Sequence, residues 1–329
     1  MTAAATDPLR VVVAVPTFRR PDELADLLLA IRPHLDALPD DLGIPSVGEV
    51  LVVDNDPGRS AEPVAAAAAD RGVRYVHEPE PGIAAARDTA LQRSDDADVV
   101  VFIDDDELPQ PRWLTELLAV WREHRPAAVA GRVIAEFDTE PDDWIRAGGF
   151  FERRYRPRGT SVRAAAAGNL LLDVAQVRRS GVRFDRSLGM GGGEDTLFTS
   201  DLTRRGFRVV WAPDSVIVDK VPADRLRKAW VLRRRFAHGT VVSTVQVRLA
   251  TSLLGRARAR AVGVAKGLAL MVTAVARWLA GVATRSLARR ARATADVWRG
   301  AGRVAGAVGL HFPEYRRSPE SSPTSQATP

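Results

Sequence analysis

The run Val99-Val100-Val101-Phe102-Ile103, ending in Asp104-Asp105-Asp106-Glu107, constrains this chain more than any other stretch. A continuous β-branched run predicts a strand covered on both faces, which belongs in a sheet flanked by helices. In such α/β sheets ligands bind outside the carboxyl ends of the strands, and that is where the four acids fall. Clustered there they repel one another, and they become favourable when a divalent cation bridges some of them to a phosphate. Hard Mg²⁺ or Mn²⁺ suits a few carboxylate oxygens completed by substrate oxygens. A solvated acidic loop would leave the same short motif, so its context matters.

Residues 10–15 predict a strand that runs into Pro16-Thr17-Phe18-Arg19-Arg20-Pro21, and Leu24, Leu27, Leu28 and Ile31 then recur at helical spacing. A second strand, 49–53, stops at the turn Asp54-Asn55-Asp56-Pro57-Gly58. An alanine-rich helix over 63–70, a strand over 73–76, the loop 78–82 and a helix over 83–93 follow. This alternation predicts an α/β fold with a mainly parallel sheet flanked by helices. Thr17, Asp54 and the acids at 104–107 then lie at three strand ends that open toward one crevice.

Downstream, Gly191-Gly192-Gly193-Glu194-Asp195 forms a second constellation. Successive glycines let backbone pass close to a bulky substrate, and acids that open a helix are stabilised by its positive end. Alone it reads as a flexible loop with an acidic cap; beside the upstream acids it reads as an active-site lid and a base. The sequence does not separate Glu194 from Asp195. Between the constellations, Gly168-Asn169-Leu170-Leu171-Leu172 predicts a strand with a close backbone approach. Trp113, Trp121 and Trp144 read as half-buried core more than as sugar-stacking faces.

Five elements resemble, in order and spacing, the family-2 glycosyltransferases of GT-A fold, in particular bacterial exopolysaccharide and cell-surface glycan transferases. They are Val15-Pro16-Thr17-Phe18-Arg19-Arg20, Val53-Asp54-Asn55, Pro81-Gly82-Ile83-Ala84-Ala85-Ala86-Arg87-Asp88, Phe102-Ile103-Asp104-Asp105-Asp106 and Gly191-Gly192-Gly193-Glu194-Asp195. The resemblance implies a nucleotide-diphosphate sugar donor, most commonly a UDP-sugar, and a glycan or lipid-linked acceptor. Pro16, Thr17, Arg19, Asp54, Arg87, Asp104 and Asp105 would serve the nucleotide side, with Asp54 accepting a hydrogen bond from the base. Asp106, with Asp104, would hold Mn²⁺ or Mg²⁺ on the diphosphate. Asp195 would be the general base beside Glu194, and Gly168, Asn169, Gly192 and Gly193 would border the acceptor.

Two positions depart from the family. Asp88 stands where Asn is usual, and Asp219 where a metal-binding His is common. Aspartate also ligates these ions through oxygen, so Asp219 joins the expected metal set. His238 is either a substitute ligand or a helix-surface residue near a glycine stop.

These residue types suit the chemistry. The departing diphosphate gains negative charge, which a bound cation neutralises. A hydroxyl is a poor nucleophile, so a carboxylate within hydrogen-bond reach takes its proton as it attacks. One base opposite the leaving group gives inversion by direct displacement. A sugar-nucleotide pyrophosphorylase would carry a glycine-rich, basic loop after the first strand, which this chain lacks. A non-catalytic, membrane-associated nucleotide-sugar-binding protein on the same scaffold is the alternative, and Asp54, Asp104, Asp106 and Asp195 favour catalysis over it.

Charge adds a second theme. Residues 221–317 carry 20 Lys and Arg against 3 acids, whereas the first 220 residues are net acidic. The basic half is rich in Ala, Leu, Val and Arg, which predicts helices with mixed apolar and basic faces. Its stretch 268–276 is bracketed by Lys266 and Arg277 and followed by Trp278, which fits a helix lying in the headgroup region of an anionic membrane better than one crossing it. Packing on the catalytic domain with solvated arginines gives the same composition, and no motif for nucleic acid accompanies the charge. With no cysteine, disulfides and thiolate chemistry are excluded, and residues 1–8 read as a polar tail rather than a leader. The expected organisation is a tail (1–9), a GT-A catalytic domain (10–222), a basic amphipathic helical extension (223–312) and a disordered tail (313–329). The expected location is the cytoplasm, peripheral to the inner face of the cell membrane.

Overall fold

The computed structural model describes residues 7–153, 155–189 and 191–310; Met190 and the expected tail at 313–329 lie outside them. The strands are β1 (Leu9–Thr17), β2 (Ser46–Asp54), β3 (Val73–His77), β4 (Val99–Phe102), β5 (Glu107–Pro109), β6 (Ala128–Phe137), β7 (Leu170–Asp173) and β8 (Val209–Val221). Helices α1 (Pro21–Asp36), α2 (Leu38–Leu42), α3 (Glu62–Ala67), α4 (Ile83–Gln92), α5 (Trp113–His124), α6 (Asp143–Gly148), α7 (Val174–Ser180) and α8 (Glu194–Arg204) alternate with them. Three longer helices follow: α9 (Lys228–Leu249), α10 (Leu253–Ala283) and α11 (Leu287–Ala307).

All eight strands join one sheet in the order β3-β2-β1-β4-β7-β6-β8-β5. The first four are parallel, β7 runs antiparallel between β4 and β6, and β8 is parallel to β6. The period of two along each strand divides the core. Val11, Val13, Val15, Val99 and Val101 face α1 and α5, while Val12, Ala14, Val100 and Phe102 face α4, α7 and α8. Both faces being covered is why the strands read as unbroken apolar runs.

The chain leaves β1 toward β2 and β3, then returns to place β4 on the other side of β1. That reversal opens a crevice at the carboxyl ends of β1 and β4, the usual ligand position in such sheets. Thr17 pairs in register with Asp54 at this edge, and Asp104 lies two residues past β4.

Residues 107–109 form β5, with Glu107 opposite Asp219 on β8, and two local expectations change. The alanine-rich helix ends at Ala67 instead of residue 70. Helix α9 does not stop at Gly239: that glycine is buried where α9 crosses α11, so it serves packing. Helix α11 lies against both α9 and α10 and reaches α6, where Arg292 Nε donates to the Gly148 carbonyl at 3.2 Å.

Candidate active site

The end of β1 and the acid cluster are tied together by side chains. Thr17 Oγ1 donates to Asp105 Oδ2 at 2.8 Å, and Arg20 reaches Asp105 at 2.9 Å and Asp106 at 2.7 Å. Burial, opposed by Arg20 and Thr17, pushes the Asp105 carboxyl up to about 6. Arg19 turns the other way, with left-handed backbone (φ 56°), and pairs with Asp56 at 2.9 Å. Pro16 sits buried in the β1–β2 pair opposite Val53.

Asp54 is fully buried, and its carboxylate accepts from the N–H groups of Asp56 and Ala61 (2.9 Å each) and from the Tyr75 hydroxyl (3.2 Å). Here it shapes the turn after β2. Asn55 ties that turn to the next loop: its Nδ2 donates to the carbonyls of Glu78 and Glu80, and its Oδ1 accepts from the N–H of Gly82.

Arg87, buried on α4, joins the two acidic constellations. One Nη donates to Asp104 Oδ1 at 2.7 Å, and the other pairs with Glu194 at the start of α8. Glu194 is buried, and that burial, reinforced by Asp195 and opposed by Arg87, raises its carboxyl to about 7. Asp195 is only partly buried; its Oδ2 accepts the Ala167 N–H at 3.4 Å and its Oδ1 accepts from Thr196. The pair that sequence left together is thus divided into an enclosed acid and an accessible one.

Behind Asp104 lies Glu107, whose Oε2 accepts the Asp104 N–H at 3.1 Å. Burial first, then the charges of Asp104, Asp106 and Asp219, pushes its carboxyl well above the usual range. Gly168 is shaped by this acid, since a β-carbon there would lie 2.7 Å from Glu107 Oε1. The Asn169 amide is engaged at both ends, accepting from Trp113 Nε1 at 2.9 Å and donating to the carbonyls of Arg132 and Ser215. Trp113 and Trp121 are buried core, while Trp144 packs on Phe150. Gly192 and Gly193 both have positive φ, and Gly193 passes close to Val241 on α9.

The departure at Asp88 has a local partner. Arg183 and Arg186 pair with its buried carboxylate at 3.1 and 2.9 Å, and Arg186 also reaches Glu78 and Glu80. Gly82, with φ 126°, lets this loop press against Gly189, whose carbonyl would be 2.8 Å from a β-carbon. Sequence reasoning missed Arg20, Arg183 and Arg186. The one available signal was basic residues set among acids in an otherwise acidic half.

Asp106 and Asp219 both face Arg225, at 3.7 and 4.0 Å. Burial and then Asp106 raise the Asp219 carboxyl, with Arg225 opposing. Among the described residues no three acidic, His or Cys side chains form a ready metal cage. Asp104, Asp106 and Asp219 nonetheless offer the hard oxygens that Mg²⁺ or Mn²⁺ accepts when substrate phosphates complete its shell. The donor type suits such an ion, and each carboxylate is engaged by arginine: Asp104 by Arg87, Asp106 by Arg20 and Arg225, and Asp219 by Arg225.

Residues 12–181 match the model of Glycosyl transferase family 2. The chain is 34% identical over 241 residues to the succinoglycan biosynthesis protein ExoM of Rhizobium meliloti, covering 70% of this chain and 73% of that protein. Among solved structures it is similar to the mannosyltransferase PcManGT of Pyrobaculum calidifontis in complex with GDP-Man and Mn²⁺, with TM-score 0.56, 21% identity, and coverage of 92% of this chain and 88% of that one. Residues 1–349 of S. aureus TarS in complex with UDP-GlcNAc align with TM-score 0.52 and 12% identity over 87% and 90% of the two chains. The fold is that of the GT-A glycosyltransferases, and the chain belongs to glycosyltransferase family 2.

Proposed function

We propose that the protein transfers a sugar, with inversion, from a nucleotide-diphosphate sugar to a hydroxyl of a glycan or lipid-linked acceptor, with Asp195 as the general base. The observation that carries this reading is the Arg87 bridge. It fixes Glu194 against the nucleotide-side acid Asp104 and leaves its neighbour Asp195 accessible at the start of α8. Glu194 is then a positioning residue, and Asp195 takes the acceptor proton as the hydroxyl attacks. Thr17, Arg20 and Asp105 hold the floor of the donor site. Bound by Asp106 with Asp104 and Asp219, Mn²⁺ or Mg²⁺ would neutralise the leaving diphosphate.

The family's common donors are UDP-sugars; one structural neighbour holds UDP-GlcNAc and another GDP-Man. The relative in succinoglycan biosynthesis supports an exopolysaccharide acceptor, and the apolar α10 supports placement at the inner membrane surface.

Calorimetric titration with UDP, GDP and dTDP nucleotides, with and without Mn²⁺, tests the donor side. One nucleotide should bind in a metal-dependent way, and Asp106→Ala should abolish it. Asp195→Asn should keep that binding yet lower turnover by about 10²–10⁴. A variant with unchanged turnover removes Asp195 from the base role, and wild type that binds no nucleotide favours the non-catalytic alternative.

A further inference from the structure

Helices α9 and α11 meet backbone to backbone. A β-carbon on Gly302 would overlap the Phe236 carbonyl oxygen, and one on Gly239 would overlap that of Arg299. This crossing gathers Arg235, Arg299 and Arg303, all half-buried. The Nε atoms of Arg299 and Arg303 are buried without a hydrogen-bond partner, and among the described residues no ion pair holds any of the three. Asp296, the acid that acts on Arg235, is itself held by Arg277 at 3.0 Å. Burial and the charge of Arg299 hold both Arg235 and Arg303 below the usual arginine range. The Nε edges of Arg299 and Arg303 are shut from water with no acceptor beside them, which is costly, so the cluster is suited to an anionic ligand.

An aromatic surface adjoins it. Phe151 stacks on Trp230 with centroids 5.9 Å apart and meets Phe137 edge-on at 5.4 Å. Arg234 lies over Trp230 at 6.0 Å, and Arg235 over Phe150 at 5.2 Å. Phe137 ends β6, which runs in the same direction as β4, so this surface lies on the sheet edge that carries the acid cluster. Arg153 lies close enough to both Asp219 and His238 of α9 to act on the charge of each.

We infer that the arginine cluster binds the diphosphate of a lipid-linked glycan acceptor whose sugar rests on Phe137, Phe151 and Trp230. Three guanidinium groups exceed what one carboxylate needs, and their planar forks match phosphate oxygens. Aromatic faces suit the apolar faces of a sugar ring. Helix α11 also packs on α10, whose outer side is apolar, so a lipid chain leaving the cluster has a surface to follow. The inference rests on the transferase reading for its acceptor and deepens it.

The test uses the full chain and three probes: a glucosyl diphosphate carrying a short isoprenyl chain, inorganic diphosphate and a neutral alkyl glucoside. The Arg299→Gln/Arg303→Gln variant should bind the glucosyl diphosphate about tenfold more weakly or worse, each lost contact being a charge-assisted hydrogen bond. Its binding of nucleotide with Mn²⁺ should be unchanged. Its melting temperature should rise, because like charges have been removed. Trp230→Ala should weaken the glucosyl diphosphate while leaving inorganic diphosphate unchanged. Undiminished binding by the double variant, or a fall in its melting temperature, overturns the site. Inorganic diphosphate binding as tightly as the glucosyl form overturns the acceptor assignment. A wild type that binds the glucosyl diphosphate but no nucleotide would sustain this site while the transferase reading fails.

Discussion

Arg87 faces one acid 17 residues further along the chain and another 107 residues further, and the second is buried at the edge of ionisation. The Glu194 carboxyl is raised from 4.5 to about 7, first by burial. Between those values the folded protein keeps a proton that the unfolded chain has released. Stability contributed by this group is therefore highest at low pH and falls as pH rises from about 4.5 to about 7, by at most about 1.4 kcal/mol per pH unit. Urea denaturation across that range should show the decline, and Glu194→Gln should flatten it. Arg87→Ala removes the cation that opposes the shift, so the proton is held to higher pH. Its destabilisation should be larger at pH 8 than at pH 6. Equal losses at the two pH values would mean that the pair does not form in solution.

The strand ends were legible because β-branched runs and their abrupt polar stops are local features: Thr17, Asp54 and the acids at 104–107 fall at the sheet edge as the periodicity implied. What those side chains do there was less legible, since it depends on partners far along the chain. Asp54 and Asn55 shape loops, Asn169 is spent on Trp113, and Gly168 makes room for Glu107. None of these contacts leaves a periodic trace. The loop of residues 181–189 is the clearest case, because Arg186 fastens it to Glu78, Glu80 and Asp88, about a hundred residues earlier. Arg186→Gln leaves two buried carboxylates with less compensation and should cost about 1–3 kcal/mol. Hydrogen exchange should quicken at residues 78–82 and 186–189 while the strands stay protected. Unchanged exchange in both loops would show that Arg186 does not hold them.

Over the whole molecule, charge and apolar surface are segregated together. The residues up to 220 are net acidic and the helices that follow are basic, so an anionic surface would attract the helical side. Helix α10 supplies the contact. Gly263, Gly267, Ala274 and Gly281 are buried on one side, whereas Leu268, Val272, Val275, Leu279 and Val282 recur at spacings of four and three on the other. Each of those five is 45–70% exposed, an apolar stripe of the kind that marks an interaction face. By length and composition the helix is also apolar enough to cross a membrane. Its packing against α11 opposes crossing, since the glycine face would have to leave its partner. The full chain should therefore float with phosphatidylglycerol vesicles at low salt, float poorly with phosphatidylcholine alone, and be released from the membrane by high salt. Val272→Glu/Leu279→Glu should abolish flotation while nucleotide binding persists. Retention through high salt until detergent is added would show α10 inserted across the bilayer. Flotation equal to wild type in the double variant would show that the arginines alone make the contact.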